Sequence, residues 1–270
     1  LFNRWFRLKN KKPRLKELAR LLPWVLTLNL ASAHAQRLEV SEQVQIVRSA
    51  ADLIEARYVD GKAGKEIAAT LRNSAPRWKA PSEPEAFAKE VTNFLRTASG
   101  DGHLGLSYSR TPLPEGPSIS EFTEAEMNRW YGPQVNHGVE RIERLPNNIA
   151  LLELRVFPPP TMAGDVFAAA MTVVAQGDAL ILDLRKNGGG AETANLLMGY
   201  LLPPDSPLSG TYDRPSNKHT YISSPPWVPG RRFGSTKPLY VLTSKRTFSA
   251  AEAVAYDLQA LKRAVIVGEA

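Results

Sequence analysis

Apolar residues recur every three or four positions over residues 41–58, 65–71 and 87–95, which is the spacing of amphipathic helices. Ser82 and Glu85 precede the third segment with the spacing of a capping box. Residues 99–103 then read Ser-Gly-Asp-Gly-His, and glycines on both sides of the aspartate indicate a tight turn. The pattern predicts a small domain of three helices that ends at this turn.

The period of the pattern changes after residue 137. Short apolar runs typical of strands alternate with segments of helical spacing, and this alternation predicts an α/β layered core. The predicted strands cover 139–145, 149–157, 179–184, 238–243 and 264–267, and the predicted helices cover 162–175, 191–202 and 250–262. Proline-rich residues 203–236 are expected to form an exposed excursion, whose Tyr212 and Trp227 could instead line a peptide groove.

These changes divide the chain into a leader (1–35), an N-terminal helical domain (36–105), a connector with one short helix near Glu124 (106–136) and an α/β core (137–270). The printed sequence stops directly after the last predicted strand. A domain seldom ends on such a strand, so we expect the core to be incomplete at its C-terminus.

The positive charge of the chain is concentrated in the leader. Eight of the 34 basic residues and one of the 27 acidic residues lie within residues 1–35, so the remainder is neutral and nothing suggests a nucleic-acid partner. In the leader a basic stretch, an apolar run and Ala33-His34-Ala35 follow one another, as in a secretory signal. We expect export to a bacterial periplasm or the cell exterior. The alternative is an uncleaved helix at a membrane surface.

The apolar run of the leader is too short to cross a bilayer. We also expect no membrane span in the chain that remains after the leader is removed. The chain contains no cysteine, which excludes disulfides, thiol catalysis and cysteine-bound metal. Its four histidines lack the spacing of a metal site. The glycines at 188–190 have neither the lysine of a phosphate-binding loop nor a dinucleotide-binding spacing. We therefore expect no metal and no cofactor.

Two segments offer chemistry. Ser249 follows a predicted strand and precedes a predicted helix, and three glycines follow another strand at 188–190. A hydroxyl at a helix start beside bare backbone N–H groups suits acyl transfer, with Ala250 and a loop glycine as donors to an oxyanion. The alternative is that Ser249 is an ordinary N-cap with Glu252 completing a capping box, and that the glycines form a flexible loop.

Of the four histidines, His34 lies in the leader, His219 in the excursion and His137 next to a strand. A structural role is expected for His137 and an exposed position for His219. His103 lies in the glycine-flanked turn, where a side chain can be held without being packed away. It is the best candidate for a general base.

Three separated motifs resemble the S41 serine peptidase family of C-terminal processing and tail-specific proteases. They are Leu-Asp-Leu-Arg-Lys-Asn-Gly-Gly-Gly at 182–190, Thr-Phe-Ser-Ala-Ala-Glu at 247–252 (followed by Arg-Ala-Val-Ile-Val-Gly-Glu at 263–269) and Ser-Gly-Asp-Gly-His at 99–103. The similarity is greatest to the branch of interphotoreceptor retinoid-binding protein, because residues 104–139 leave no room for a PDZ domain. The resemblance implies a ββα-spiral core like those of the Clp protease and crotonase.

By resemblance, Ser249 is the nucleophile and Gly189 and Ala250 are the oxyanion donors. The family uses either a lysine about 25 residues after the serine or a histidine at the position of His103, which a glutamate far downstream orients. Both the lysine and the glutamate would fall beyond residue 270. The histidine and the missing PDZ domain favour the second set.

The sequence thus predicts an exported serine peptidase that cleaves peptides or unfolded proteins through an acyl-enzyme. The alternative is a non-catalytic carrier of hydrophobic ligands, such as retinoids or fatty acids, on the same fold. A pure carrier has no chemical need for the serine, the histidine and the glycine loop together. The sequence leaves the side-chain preference of the peptidase and the oligomeric state open.

Overall fold

The structure is a computed structural model that describes residues 37–109 and 123–269. The predicted leader and residues 110–122 of the predicted connector lie outside these ranges. None of the helices in the described ranges combines the length and the apolar character needed to cross a membrane.

Three helices form the N-terminal part, as the sequence predicts. They are α1 (Val40–Arg57), α2 (Gly61–Asn73) and α3 (Pro84–Ser99). Their apolar faces enclose one buried cluster, which we call the helical cluster, made of Val47, Ala51, Ile67, Ala68, Leu71, Trp78, Phe87, Val91 and Leu95. Asp60 begins α2 by accepting hydrogen bonds from the N–H groups of Lys62 and Ala63 at 2.8 and 2.9 Å, so α2 starts four residues earlier than its apolar spacing indicates.

Helix α3 begins differently from the expectation. Its N-cap is Glu83 and not Ser82. Ser82 pairs through its backbone with Leu38 and accepts a hydrogen bond from the side-chain amide of Gln43 at 3.1 Å. Ser82 therefore joins the start of the described chain to α3, and Pro84 at the first helical position supplies the fixed φ that suits a helix start.

The remaining helices are α4 (Glu124–Tyr131), α5 (Pro160–Val174), α6 (Thr193–Leu201) and α7 (Ala250–Ala260). The strands are β1 (Val139–Leu145), β2 (Ile149–Leu154), β3 (Ala179–Asp183), β4 (Pro207–Asp213), β5 (Lys218–Ser223), β6 (Leu239–Thr243) and β7 (Val265–Gly268).

Five strands form one sheet in the order β1-β2-β3-β6-β7. Strand β1 is antiparallel to β2, and the other neighbours are parallel. The large buried cluster of the core contains apolar side chains from β2, β3, β6, α5, α6 and α7, and we call it the α/β cluster. The predicted α/β class with a small N-terminal helical domain is confirmed.

The excursion at 203–236 contains a feature that the sequence did not indicate. Strands β4 and β5 form a two-stranded antiparallel hairpin whose side chains are mostly exposed. The ring of His219 stacks on Tyr212, with centroids 4.5 Å apart. At the tip of the hairpin the guanidinium of Arg214 donates to the carbonyl oxygens of Tyr58 and Glu55 at the end of α1. The hairpin thus joins the core to the helical part.

Candidate active site

The glycine loop and the Ser249 segment lie side by side because β3 and β6 are parallel neighbours. The carboxyl ends of parallel neighbours meet at one edge of the sheet, where α/β proteins place their ligand sites. Hydrogen bonds fasten the two loops together there. The N–H of Phe248 donates to the carbonyl of Asn187 at 3.0 Å, and the hydroxyl of Thr247 donates to the carbonyl of Leu184 at 2.9 Å.

Ser249 has a backbone conformation that L-residues rarely adopt, with φ of 55° and ψ of −122°. It is the N-cap of α7, and the carboxylate of Glu252 accepts a hydrogen bond from its N–H at 2.6 Å. The expected capping role of Glu252 is therefore present. An ordinary N-cap has an extended backbone with negative φ. The strain at Ser249 is thus not explained by capping, and strain of this kind clusters at functional sites.

Gly189 lies directly against the serine. Its φ is +86°, and a Cβ added there would be 2.7 Å from the Cβ of Ser249 and 2.7 Å from the carbonyl oxygen of Phe248. Only a residue without a side chain fits this approach. The next loop residue, Gly190, forms a parallel bridge with Phe157, whose N–H donates to the carbonyl of Gly189 at 2.8 Å. The glycine run is therefore a fixed wall of the site and not a flexible loop.

Asn187 holds this wall in place, a role that its neighbours in the sequence do not indicate. Its side chain is buried, its Nδ2 donates to the carbonyl of Leu154 at 3.1 Å, and its Oδ1 accepts from the N–H of Gly189 at 2.8 Å. Its own carbonyl holds Phe248. One residue thereby connects β2, the glycine loop and the serine segment. A lone asparagine between a lysine and three glycines reads as a turn residue, so only the fold exposes this role.

The two predicted oxyanion donors differ in their surroundings. Ala250 is the first residue of α7, and within the described ranges its N–H donates to no acceptor, as is usual for the first turn of a helix. The N–H of Gly189 is engaged by Asn187. Gly189 could therefore bind a substrate oxygen only by exchanging that partner.

His103 reaches the site from the helical part. Helix α3 ends at Gly100 in the left-handed conformation with φ of 72°, and the chain turns so that the His103 ring stacks on the ring of Phe248, with centroids 4.2 Å apart. Phe248 directly precedes Ser249. Within the described ranges no hydrogen bond joins the His103 ring to the Ser249 hydroxyl. The fold thus brings the two predicted residues to the same place, in a looser arrangement than a reacting complex has.

A carboxylate and a phenol accompany His103. Oδ1 of Asp101 accepts hydrogen bonds from the backbone N–H of His103 at 2.8 Å and lies 2.9 Å from its Nδ1. Oδ2 accepts from the hydroxyl of Tyr58 at 3.0 Å. Burial alone would raise the pKa of the Asp101 carboxyl, but the hydrogen bonds from His103 and Tyr58 outweigh it and lower that pKa. Burial and the contact with Asp101 raise the pKa of the Tyr58 hydroxyl.

The remaining predicted histidines lie elsewhere. His137 adopts a left-handed φ of 50° before β1, and its buried Nδ1 has no hydrogen-bond partner. His219 lies on the hairpin between the rings of Tyr212 and Tyr221. Within the described ranges, neither residue contacts Ser249.

A cavity of about 430 Å³ borders Gly190 and Ala250. The hairpin contributes Leu208 and Ile222 to it, and α6 and α7 contribute apolar side chains that include Met198 and Val254. Asp257 lies at this cavity, but its Oδ1 already accepts from the N–H of Ser209 at 2.9 Å and from the hydroxyl of the same serine. The lining is mainly apolar, and its polar side chains also include the exposed Glu192 and the partly buried Asn195. Tyr212 and Trp227 are not among the lining residues.

An ion pair between Asp183 and Arg185 lies at the start of the glycine loop. The buried carboxylate of Asp183, at the end of β3, accepts from Nε of Arg185 at 3.0 Å and from its terminal nitrogen at 2.6 Å. Burial would raise the pKa of Asp183, but the hydrogen bonds from Arg185 outweigh it and lower that pKa. The carbonyl oxygen of Arg185 also accepts a hydrogen bond from the hydroxyl of Ser244. Arg185 therefore connects the glycine loop to the loop that carries Ser249.

Comparison with known proteins supports the motif assignment. The model of peptidase family S41 matches residues 148–270. A carboxyl-terminal-processing protease from Synechocystis sp. is 34% identical over 92 residues, which cover 34% of this chain and 20% of that protein. This chain therefore spans about a fifth of the length of that relative.

Two solved structures show weaker likeness. The photosystem II D1 C-terminal processing protease superposes with a TM-score of 0.37 at 27% identity, covering 49% of this chain and 34% of that chain. A lipoprotein from Streptococcus agalactiae superposes with a TM-score of 0.47 at 16% identity, covering 87% and 77%. The family match begins after the His103 turn, and the branch without a PDZ domain stays a prediction. Residues 148–270 of this chain are thus similar to peptidase family S41.

Proposed function

We propose that this chain carries the nucleophile and the general base of a serine peptidase. The observation that supports this proposal most strongly is the backbone of Ser249, whose φ of 55° and ψ of −122° are held by Gly189 on one side and α7 on the other. A sharp, strained turn between a strand and a helix is how hydrolases present a serine hydroxyl to a substrate. The match of residues 148–270 to a peptidase family supports the proposal.

In the proposed mechanism, Oγ of Ser249 attacks the carbonyl carbon of a peptide bond while Nε2 of His103 takes its proton. The bond between the carbonyl carbon and the amide nitrogen then breaks, and the imidazolium returns the proton to the departing amine. Water, activated by the same imidazole, hydrolyses the acyl-enzyme and releases the serine. His103 must approach Ser249 in this step from its place on the ring of Phe248, the residue before the serine.

The oxyanion that forms during attack needs N–H donors. Ala250 has a free N–H at the positive end of α7, where a helix start favours negative charge. Gly189 is the second donor in the proposal, and it would release Asn187 to take this part. Removing one such donor in a hydrolase lowers kcat by about 10²–10³.

The cavity beside Ala250 and Gly190 suggests the side-chain preference. A side chain that precedes the cleaved bond would enter a space of about 430 Å³ whose buried carboxylate, that of Asp257, is already bonded to Ser209. We propose an uncharged, mainly apolar residue at that place, because most of the lining is apolar and would not replace the water lost by an incoming charge. Substrates would be peptides or unfolded proteins, and cleavage would take place outside the cytoplasm if the leader acts as a signal.

The test is cleavage of a peptide mixture by the full-length protein, read by mass spectrometry. Ser249→Ala should abolish the cleavage, and Ser223→Ala, which changes an exposed serine on the hairpin, should leave it intact. Cut sites that follow apolar residues would support the cavity assignment. Cleavage that survives Ser249→Ala would refute the nucleophile. Retinoid or fatty-acid binding without any serine-dependent cleavage would favour the carrier alternative, which the protease relatives do not support.

A further inference from the structure

We propose that Asp101 is the carboxylate that orients His103, with Tyr58 holding Asp101 in turn, so that the hydrogen bonds that orient the base of the site come from residues of the helical part. This inference rests on the proposed peptidase. The histidine set of the resemblance takes its orienting carboxylate from a glutamate far downstream. In this structure a carboxylate only two residues before the histidine already occupies the Nδ1 side of its ring.

The distances determine the tautomer of His103. A carboxylate can only accept hydrogen bonds. Oδ1 of Asp101 lies 2.9 Å from Nδ1 of the ring, so the hydrogen of a neutral imidazole must be on Nδ1. Nε2 then carries the lone pair. This is the tautomer that a general base needs, because Nε2 has to accept the proton of the serine.

The same carboxylate also fixes the backbone. Oδ1 accepts from the N–H of His103 at 2.8 Å, which holds the main chain and the ring of one residue to one oxygen. The His103 ring is also stacked on the ring of Phe248. Rotation of the His103 side chain about its Cα–Cβ bond is therefore restricted by Phe248 on one ring face and by Asp101 at Nδ1. His103 is 55% exposed and Asp101 is 23% exposed. The histidine therefore opens towards substrate while its partner lies beneath it.

Tyr58 completes the set from α1. Its hydroxyl donates to Oδ2 of Asp101 at 3.0 Å, and its carbonyl oxygen accepts from Nε of Arg214 at 2.6 Å. Asp101 thus has hydrogen-bond donors on both oxygens and remains ionised, in agreement with its lowered pKa. During attack the proton moves from Ser249 to Nε2 only. The hydrogen on Nδ1 stays with the ring, and the carboxylate stabilises the imidazolium without becoming protonated.

The test compares Asp101→Asn with a matched control, Asp60→Asn, in the full-length protein. Asp60 also accepts two backbone hydrogen bonds but contacts no histidine, and asparagine caps a helix as well as aspartate does. In Asp101→Asn the amide oxygen keeps the place of Oδ1, because the two groups of His103 that it faces are N–H donors, and the NH₂ group faces Tyr58. The variant therefore removes the charge that stabilises the imidazolium. We expect kcat to fall by about 10–10² with KM little changed, Asp101→Glu to restore part of kcat, and Asp60→Asn to keep the wild-type value.

Tyr58→Phe should lower kcat by about tenfold, which is the loss of one hydrogen bond to a charged acceptor. Nitrogen-15 NMR of the imidazole rings supplies a readout independent of activity, since the chain has only four histidines. We expect the His103 hydrogen on Nδ1 in the wild type and in Asp101→Asn, and a mixture of both tautomers in Asp101→Ala, which has no acceptor at this place. A folded Asp101→Asn protein with wild-type kcat, or a wild-type ring protonated on Nε2, overturns the inference. Cleavage that survives Ser249→Ala instead overturns the proposed peptidase, and the NMR result still decides the orientation of His103.

Discussion

Gly189→Ala adds only one methyl group, but we expect it to lower both the activity and the stability of the protein. The new methyl group would lie 2.7 Å from the Cβ of Ser249, where ordinary contact begins at 3.4 Å, so the serine has to move by about 0.7 Å. Displacement of a reacting group by about 1 Å can lower a rate by about 10²-fold, and the φ of +86° adds about 1–2 kcal/mol of backbone strain. We expect kcat/KM to fall by about 10² and Tm to fall by about 2–8 °C.

Gly188→Ala is the matched control for this change. Gly188 is the neighbour of Gly189, its φ is not positive, and nothing lies within 4 Å of an added Cβ. Its N–H donates to the carbonyl of Arg155 at 3.0 Å, and alanine keeps that donor. Both variants are compared with the wild type on one apolar peptide and in thermal unfolding. If Gly189→Ala keeps wild-type kcat/KM, or if both variants lose it equally, the close approach of the loop to Ser249 is not what the site requires.

Three further predictions concern the support and the specificity of the site. Asn187→Ala should destabilise the chain by about 1–3 kcal/mol in urea unfolding, because a buried carbonyl of β2 loses its amide donor; an unchanged urea midpoint would contradict this. The lowered pKa of Asp183 means that its stabilising effect is complete above about pH 3.9 and is lost as the pH falls through the folded pKa. Arg185→Met should lower the stability at neutral pH, and its deficit from the wild type should shrink as the pH falls below about 3.9, in urea unfolding followed by circular dichroism; a deficit that does not change with pH would exclude the ion pair as its cause. Ala253→Phe, which fills the cavity beside Ala250, should slow cleavage after large apolar residues more than cleavage after alanine, whereas Ala260→Phe on the same helix should change neither rate.

The elements with strong periodicity were predictable. The apolar spacing of α1 and α3 and the short apolar runs of β3 and β6 placed these elements within a few residues of their observed ends. The alternation of strands and helices also predicted the α/β layered core, in which the parallel pairing of β3 and β6 brings the glycine loop and Ser249 together. Local pattern was sufficient here because most apolar positions of these elements are buried, although the polar Gln43 of α1 is buried as well.

The hairpin of β4 and β5 was not predictable from its own residues. Its strands contain proline, glycine and serine, and their side chains are mostly exposed, so no alternation of apolar and polar positions marks them. Contacts with distant residues hold the hairpin in place, through Ser209 on Asp257 and Arg214 on the end of α1. The contact of Tyr58 with Asp101 was hidden for the same reason, because the two residues are 43 positions apart in the sequence.

The two residues of the proposed proton transfer belong to different hydrophobic cores. His103 follows α3 of the helical cluster, and Ser249 begins α7 of the α/β cluster. The stack of His103 on Phe248 and the hydrogen bonds from Arg214 to α1 join the two parts. During synthesis, residue 103 leaves the ribosome long before residue 249. The proposed site can therefore assemble only after the second core has folded and docked on the helical part. Under the proposed mechanism, a nascent or unfolded chain therefore has no assembled site and does not cleave itself or neighbouring chains.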